Sequence, residues 1–176
     1  MSARRFVVGV SGSAGSLQAL RYATQLARDE AGTLTAVLAW TPPGGEFAER
    51  RCPSPELRRL WREAARDRLR ESIDLAIGGL PADIEFSPVV VRGDAGQVLT
   101  EVAAKPDDVL VIGAGQHGLL HRMLGCRVSR YCLGHACCPL VAVPPSQLAE
   151  DLRGLRGWVL RRRLQPEKVG LHGADV

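Results

Sequence analysis

Five apolar runs, each no longer than a strand, recur along the chain with a helical-period segment between each pair. They are Arg5–Val10, Leu34–Trp40, Ile84–Arg92, Asp108–Gly113 and Pro139–Val143. Stretches such as Phe6-Val7-Val8 and Val109-Leu110-Val111-Ile112 are apolar at successive positions. That suits strands covered on both faces, because a strand with one wet face alternates apolar and polar residues. Strands separated by helices pair in parallel, since a parallel neighbour requires a long crossover. The expected fold is therefore α/β: a Rossmann-like, doubly wound parallel sheet of five strands with right-handed crossovers. All of these runs are far below the ~20 residues of a membrane span.

Caps and spacing delimit the helices. Ser11-Gly12-Ser13-Ala14-Gly15-Ser16 supplies turn residues and an N-cap, and Leu20, Ala23, Leu26 and Ala27 mark an apolar stripe between Leu17 and Glu30 that Gly32 ends. Ser54-Pro55-Glu56 reads as an N-cap followed by proline at the first helical position. The helix it opens is expected to reach about Ala76, with Leu57, Trp61, Ala64, Leu69, Ile73 and Ala76 inward, and Gly78-Gly79 stopping it. Pro88 places the third strand at a sheet edge, where a missing N–H is tolerated. Asp94 caps a short helix carrying Val98, Leu99, Val102 and Ala103, and Pro106 closes it. A glycine-bearing loop follows the fourth strand, and the last helix passes through Val128 to about His135.

A chain of 176 residues with 45% hydrophobic and 24% charged residues is one globular domain with a tail, not a fibrous or disordered polymer. The formal charge of +4 comes mainly from arginines between 50 and 70 and between 153 and 163. In the first region Glu56, Glu63, Asp67 and Glu71 are interleaved among them, the pattern of a solvated helix rather than of a nucleic-acid surface. Of five cysteines, Cys126, Cys132, Cys137 and Cys138 cluster without a C-x₂-C pair, so they read as small apolar thiols and not as metal ligands. Met1-Ser2-Ala3-Arg4-Arg5 leads directly into a strand, and the expectation is a cytoplasmic protein without stable membrane association.

In an open sheet of this class a ligand sits beyond the carboxyl ends of the strands, where the winding reverses. The loops after the first and fourth strands are the pair to meet there. These stretches also carry a family likeness. Phe6-Val7-Val8-Gly9-Val10-Ser11-Gly12-Ser13, Leu34–Trp40, Val89-Val90-Val91-Arg92-Gly93-Asp94, Asp108–Gly113, Val128-Ser129, His135-Ala136 and Cys138-Pro139 follow one another in a characteristic order and spacing. From about Arg5 to Pro145 the chain resembles the universal stress protein (UspA-type) family. The resemblance implies an adenine nucleotide alpha hydrolase-like fold with strand order 3-2-1-4-5 and a stress-response role. It further implies a homodimer in which Leu140–Val143 pairs with its twin. It assigns residues 1–146 to the family domain and leaves 147–176 as a basic C-terminal extension, partly helical with a disordered end.

Some members of that family bind ATP and others do not. The binders hold phosphate with Gly-x₂-Gly-x₉-Gly-Ser/Thr after the fourth strand. This chain keeps Gly113 but carries Gln116, Cys126 and Arg127 at the next three positions, and Ser11 where the family has an aspartate. A frame shifted to Gly115 and Gly125 still ends on the Cys126 thiol. The residues implied for a nucleotide are the apolar strand ends Gly9, Val10, Ala39 and Ile112, then Gly113, and Arg127, Val128 and Ser129 at a helix start. ATP is the implied cofactor, with Mg only alongside it, and Arg127 offers an anion a charge in place of a hydroxyl.

Two other readings stand beside this one. The same fold serves as an interaction module without nucleotide, and the tail stripe Leu148, Leu152, Leu155 and Val159 suits docking on self or on a partner. The turn Ser11–Ser16 also resembles the Ser-Gly-Gly-x-Asp-Ser loop of ATP pyrophosphatases, departing from it at Ser13 and Gly15. No residue is assigned a catalytic role, because His117, His121 and His135 have no carboxylate or nucleophile at an identifiable spacing.

Overall fold

Strands β1 (Arg5–Gly9), β2 (Thr33–Trp40), β3 (Glu85–Arg92), β4 (Val109–Gly113) and β5 (Leu140–Val143) form one sheet in the order β3-β2-β1-β4-β5. Every pair is parallel, with Phe6 opposite Leu34 and Val109, and Leu110 opposite Leu140. Between them run α1 (Ala14–Asp29), α2 (Pro55–Ile77), α3 (Ala95–Val102) and α4 (His121–His135). The computed structural model describes residues 3–45, 49, 51, 53–114 and 121–144, with 121–126 described through their backbone alone. The chain divides into units 1–145 and 146–176, and every described residue belongs to the first. The expected tail helix thus lies outside the described residues.

The apolar runs serve two cores because successive side chains on a strand point to opposite faces. Phe6, Val8, Leu34, Ala36, Leu38, Val109 and Val111 pack with α1 and α2. Val7, Val37, Leu110 and Ile112 pack with Val98, Leu99 and Ala103 around α3 and with Cys132 of α4. No described helix is long and apolar enough to cross a membrane.

Local chemistry explains the helix ends. Ser13, Ser54 and Asp94 accept hydrogen bonds from the backbone N–H groups of Ser16, Leu57 and Gly96, and Gly78 closes α2 with a left-handed φ of 76°. Helix α1 starts at Ala14, ahead of its apolar stripe, because the Ser13 cap fixes the first turn. Its carboxyl end differs from expectation. The left-handed residue is Ala31 (φ 48°), and paired bonds from Gly32 N–H to the Ala27 carbonyl (2.8 Å) and from Ala31 N–H to the Arg28 carbonyl (3.3 Å) close it. Gly32 is needed instead for space, since a Cβ there would lie 2.5 Å from the Arg4 carbonyl oxygen and 2.8 Å from the Phe6 ring. A left-handed alanine costs ~1 kcal/mol or more, partly offset by the greater freedom of glycine in the unfolded chain. Ala31→Gly is therefore expected to raise stability by about 0.5 kcal/mol in urea unfolding.

Helix α2 departs from expectation in its first half. Ala65, Leu69, Ser72, Ile73 and Ala76 are buried and Trp61 packs on the core, but Leu57 is 46% exposed and Ala64 is exposed. A helix of 23 residues is about 34 Å long, whereas the eight-residue strands beneath it reach about 26 Å, so its first turns overhang the sheet. Pro88 lies on β3, an edge strand, as its missing N–H requires.

At the amino ends of β1 and β4, the Arg5 guanidinium donates to both Asp108 oxygens (2.9 and 2.6 Å) and to the Val102 carbonyl (2.9 Å). Asp108 is 2% exposed and also accepts from the Lys105 backbone N–H at 3.0 Å. The Arg5 hydrogen bonds, helped by that N–H, hold its carboxyl below the ordinary aspartate value despite burial.

Candidate functional site

The loops after β1 and β4 meet through glycines. A Cβ on Gly113 would lie 2.6 Å from the carbonyl carbon and oxygen of Gly15 and 3.0 Å from the Ser16 nitrogen. The end of β4 therefore rests directly on the first turn of α1, and Gly113 serves this contact. Ser11, where the likeness expects an aspartate, is exposed and already engaged. Its N–H donates to Ser16 Oγ (3.1 Å), its hydroxyl bonds Ser13 Oγ (3.1 Å), and Ser16 Oγ donates to the Ser13 carbonyl (2.9 Å). Gly12, at φ 81°, turns the chain beside Arg68 and Ser72 of α2. These serines close the turn and cap α1.

The expected strand-end residues separate by face. Gly9, Ala39 and Ile112 lie on the α3 face, whereas Val10 packs with α1 and α2 and donates its N–H to the Val37 carbonyl (2.8 Å). Gly9 and Ala39 are half-buried, but Ile112 is buried and Leu99 Cδ1 stands 2.8 Å from where a Gly9 Cβ would be. The space over Gly9 is thus filled by Leu99.

The expectation for the last helix requires correction. Helix α4 begins at His121, so Arg127, Val128 and Ser129 lie within it and not at its amino end. A mid-helix N–H is taken by the carbonyl four residues earlier and has no donor left for a phosphate. Val128 and Ser129 are half-buried, with Val128 against the α3-side core, and Arg127 is exposed. Gln116 and Gly115 lie outside the described residues, as does the side chain of Cys126.

One polar cluster near the carboxyl ends of β2 and β3 has no sequence signal. Glu49, 6% exposed, accepts from Arg58 Nε at 2.6 Å and pairs with Arg92, whose guanidinium lies 5.9 Å from the Trp40 ring centre. The partners are 9 and 43 residues from Glu49, so no local spacing announces them. His135 stacks on Tyr131 (4.1 Å) and sits 2.9 Å from the Tyr131 carbonyl oxygen, and His117 and the His121 side chain lie outside the described residues. Burial pushes the Cys132 and Cys138 thiols up, which keeps them protonated, and Cys137 is exposed. Among the described residues, no group of three or more His, Cys, Asp or Glu is placed to hold a metal.

Two of the cavities are lined by described residues. One, of about 910 Å³, lies at the amino ends of the strands around Arg5, Lys105 and Asp108. The other, of about 570 Å³, lies between α2 and β3. Neither is lined by an expected nucleotide residue.

Comparison with known proteins agrees with this architecture. The universal stress protein family model matches residues 2–144. No curated protein matches the chain. Among solved structures, a universal stress protein in complex with cAMP is 23% identical at a TM-score of 0.51, covering 83% of this chain and 100% of that one. The universal stress protein UspA from Lactobacillus plantarum is 20% identical at 0.59, covering 81% and 99%. Hypothetical protein MJ0577 is 14% identical at 0.64, covering 84% and 99%. These structural likenesses carry the fold, and the family match spans the five strands and the four helices described above: the chain belongs to the universal stress protein family.

Proposed function

We propose that the protein is a cytoplasmic stress-response module that works through ligand occupancy and association, without turnover, and takes an adenine nucleotide where the β1 and β4 turns meet. The observation that carries this reading is the contact of Gly113 with the first turn of α1, which brings the two turns to one place at the carboxyl edge of the sheet. A related structure of the same fold was solved with cAMP. In this reading the base lies along Ala39 and the backbone of Val10, and Gly9 and the buried Ile112 contribute only after Leu99 shifts. Val128 and Ser129 flank the site, and Arg127 supplies charge to the phosphates in place of the family's hydroxyl. Mg enters only with the nucleotide. The family domain is 1–146, and the protein pairs with a second copy through β5, the sheet edge free of proline.

Isothermal titration with ATP and Mg tests the nucleotide. Heat is expected, with Arg127→Ala weakening the affinity about tenfold, the worth of one charge-assisted hydrogen bond. An absence of heat at high micromolar protein overturns the nucleotide reading. Light scattering after size exclusion tests the pairing, and a monomer at micromolar concentration overturns it. A second reading, an interaction module without nucleotide, is favoured by one observation: Ser11 and Gly113 are both committed to closing the turns.

A further inference from the structure

We propose that the groove between α2 and β3 docks an acidic amphipathic helix of a partner protein. The groove holds about 570 Å³. Its accessible apolar lining is Leu80, 67% exposed, with the exposed Pro88 and the half-buried Val89 and Val90, backed by the buried Leu69 and Ile73. Arg66 and Arg70 form the rim. An apolar trough beneath a cationic rim matches a segment with aliphatic residues on one face and carboxylates beside them.

The rim belongs to a longer row. Arg59, Arg62, Arg66 and Arg70 recur every three or four residues, and at 100° per residue they share an arc of roughly 80° on the flank of α2. Helical geometry sets Glu63 and Asp67 one step farther from the sheet. Their pairs with Arg59 (3.7 Å) and Arg70 (2.9 Å) are exposed on both sides, hence weak competitors for the guanidiniums. Asp74 lines the groove beyond Arg70 and ends the run of positive charge.

Two observations choose a helix over a strand as the occupant. Pro88 lines the groove in the middle of β3, so a strand added to this edge meets a residue that has no N–H to offer. The arginine row has helical periodicity, and carboxylates at i, i+3 or i+4 on a partner helix, about 5–6 Å apart, reproduce it.

The test uses the full chain and a fluorescein-labelled helical peptide carrying leucine at i, i+3, i+4 and i+7 with glutamate on both flanks. A peptide of the same composition in shuffled order and an acidic strand-forming peptide serve as comparisons. Micromolar binding of the helical peptide is expected, weakening as salt rises because the rim charges are exposed. Arg66→Glu with Arg70→Glu, and separately Leu80→Glu, are each expected to reduce the affinity about tenfold or more. All three side chains lie outside the core, and circular dichroism melting checks that the variants fold. Equal binding of the shuffled peptide, or affinity unchanged by the variants, overturns the site. Stronger binding of the strand-forming peptide overturns the helical occupant, and loss of self-association in Leu80→Glu overturns the heterologous one. ATP titration of the same variants is expected to match the unaltered chain, which separates this groove from the cleft.

Discussion

Replacing Arg5 with alanine is expected to lower the unfolding free energy by about 3 kcal/mol, a large part of what a domain of this size possesses. The Asp108 carboxylate would remain buried at the foot of β4 with only the Lys105 N–H to solvate it. Removing one member of such a pair costs more than the pair contributes, because the surviving buried charge loses its main partner. Urea unfolding monitored by tryptophan fluorescence gives the number, and a change under 1 kcal/mol would contradict the account. The same pair sets an acid limit. Asp108 has a folded pKa below its unfolded value near 3.8, so its contribution is complete above that pH and fades as pH falls through the folded pKa. The stability gap between Arg5→Ala and the unaltered protein is accordingly expected to be widest near neutral pH and to narrow on acidification, because without Arg5 burial raises the Asp108 carboxyl and the variant takes up that proton first.

Gly113→Ala is expected to cost about 3 kcal/mol and to abolish any ligand binding at the cleft. The added methyl would lie 2.6 Å from backbone atoms of Gly15, and backbone cannot rotate away as a side-chain tip can. The end of β4 and the first turn of α1 would have to part. Gly134→Ala is the natural control, because a Cβ there meets nothing within 4 Å and sits in a helix, where alanine is preferred. Thermal melting of both variants checks the contrast. Equal effects would mean that the contact between the turns is not what requires the glycine.

Much of this fold is written locally. The strands are legible because burial on both faces demands apolar residues at successive positions, and the caps at Ser13, Ser54, Asp94 and Gly78 because capping chemistry involves residues two to four apart. The overhang of α2 is not legible. Leu57 and Ala64 have the right spacing for an inward face, but periodicity cannot report whether a sheet extends beneath it. The early start of α4 is hidden for a related reason: His121–Arg127 carries a glycine and no clear apolar stripe, and joins the helix by continuing it.

The candidate site divides the same way. That Gly9 and Val10 take opposite faces follows from strand alternation, whereas the sharing of a face by Gly9, Ala39 and Ile112 depends on the register between strands. That Leu99 fills the space over Gly9, or that Gly113 touches Gly15, depends on how α3 and α1 lie against the sheet, and no spacing within the chain encodes it.

The two rims of the sheet have unequal reach. Pro88 interrupts one with a residue that cannot donate, while Leu140–Val143 leaves the other continuous. If a second molecule joins by lengthening the sheet, it has one rim to join, and a two-fold union uses that rim up on both molecules. Growth by this route would stop at two, which would keep such a sheet from extending end to end into filaments.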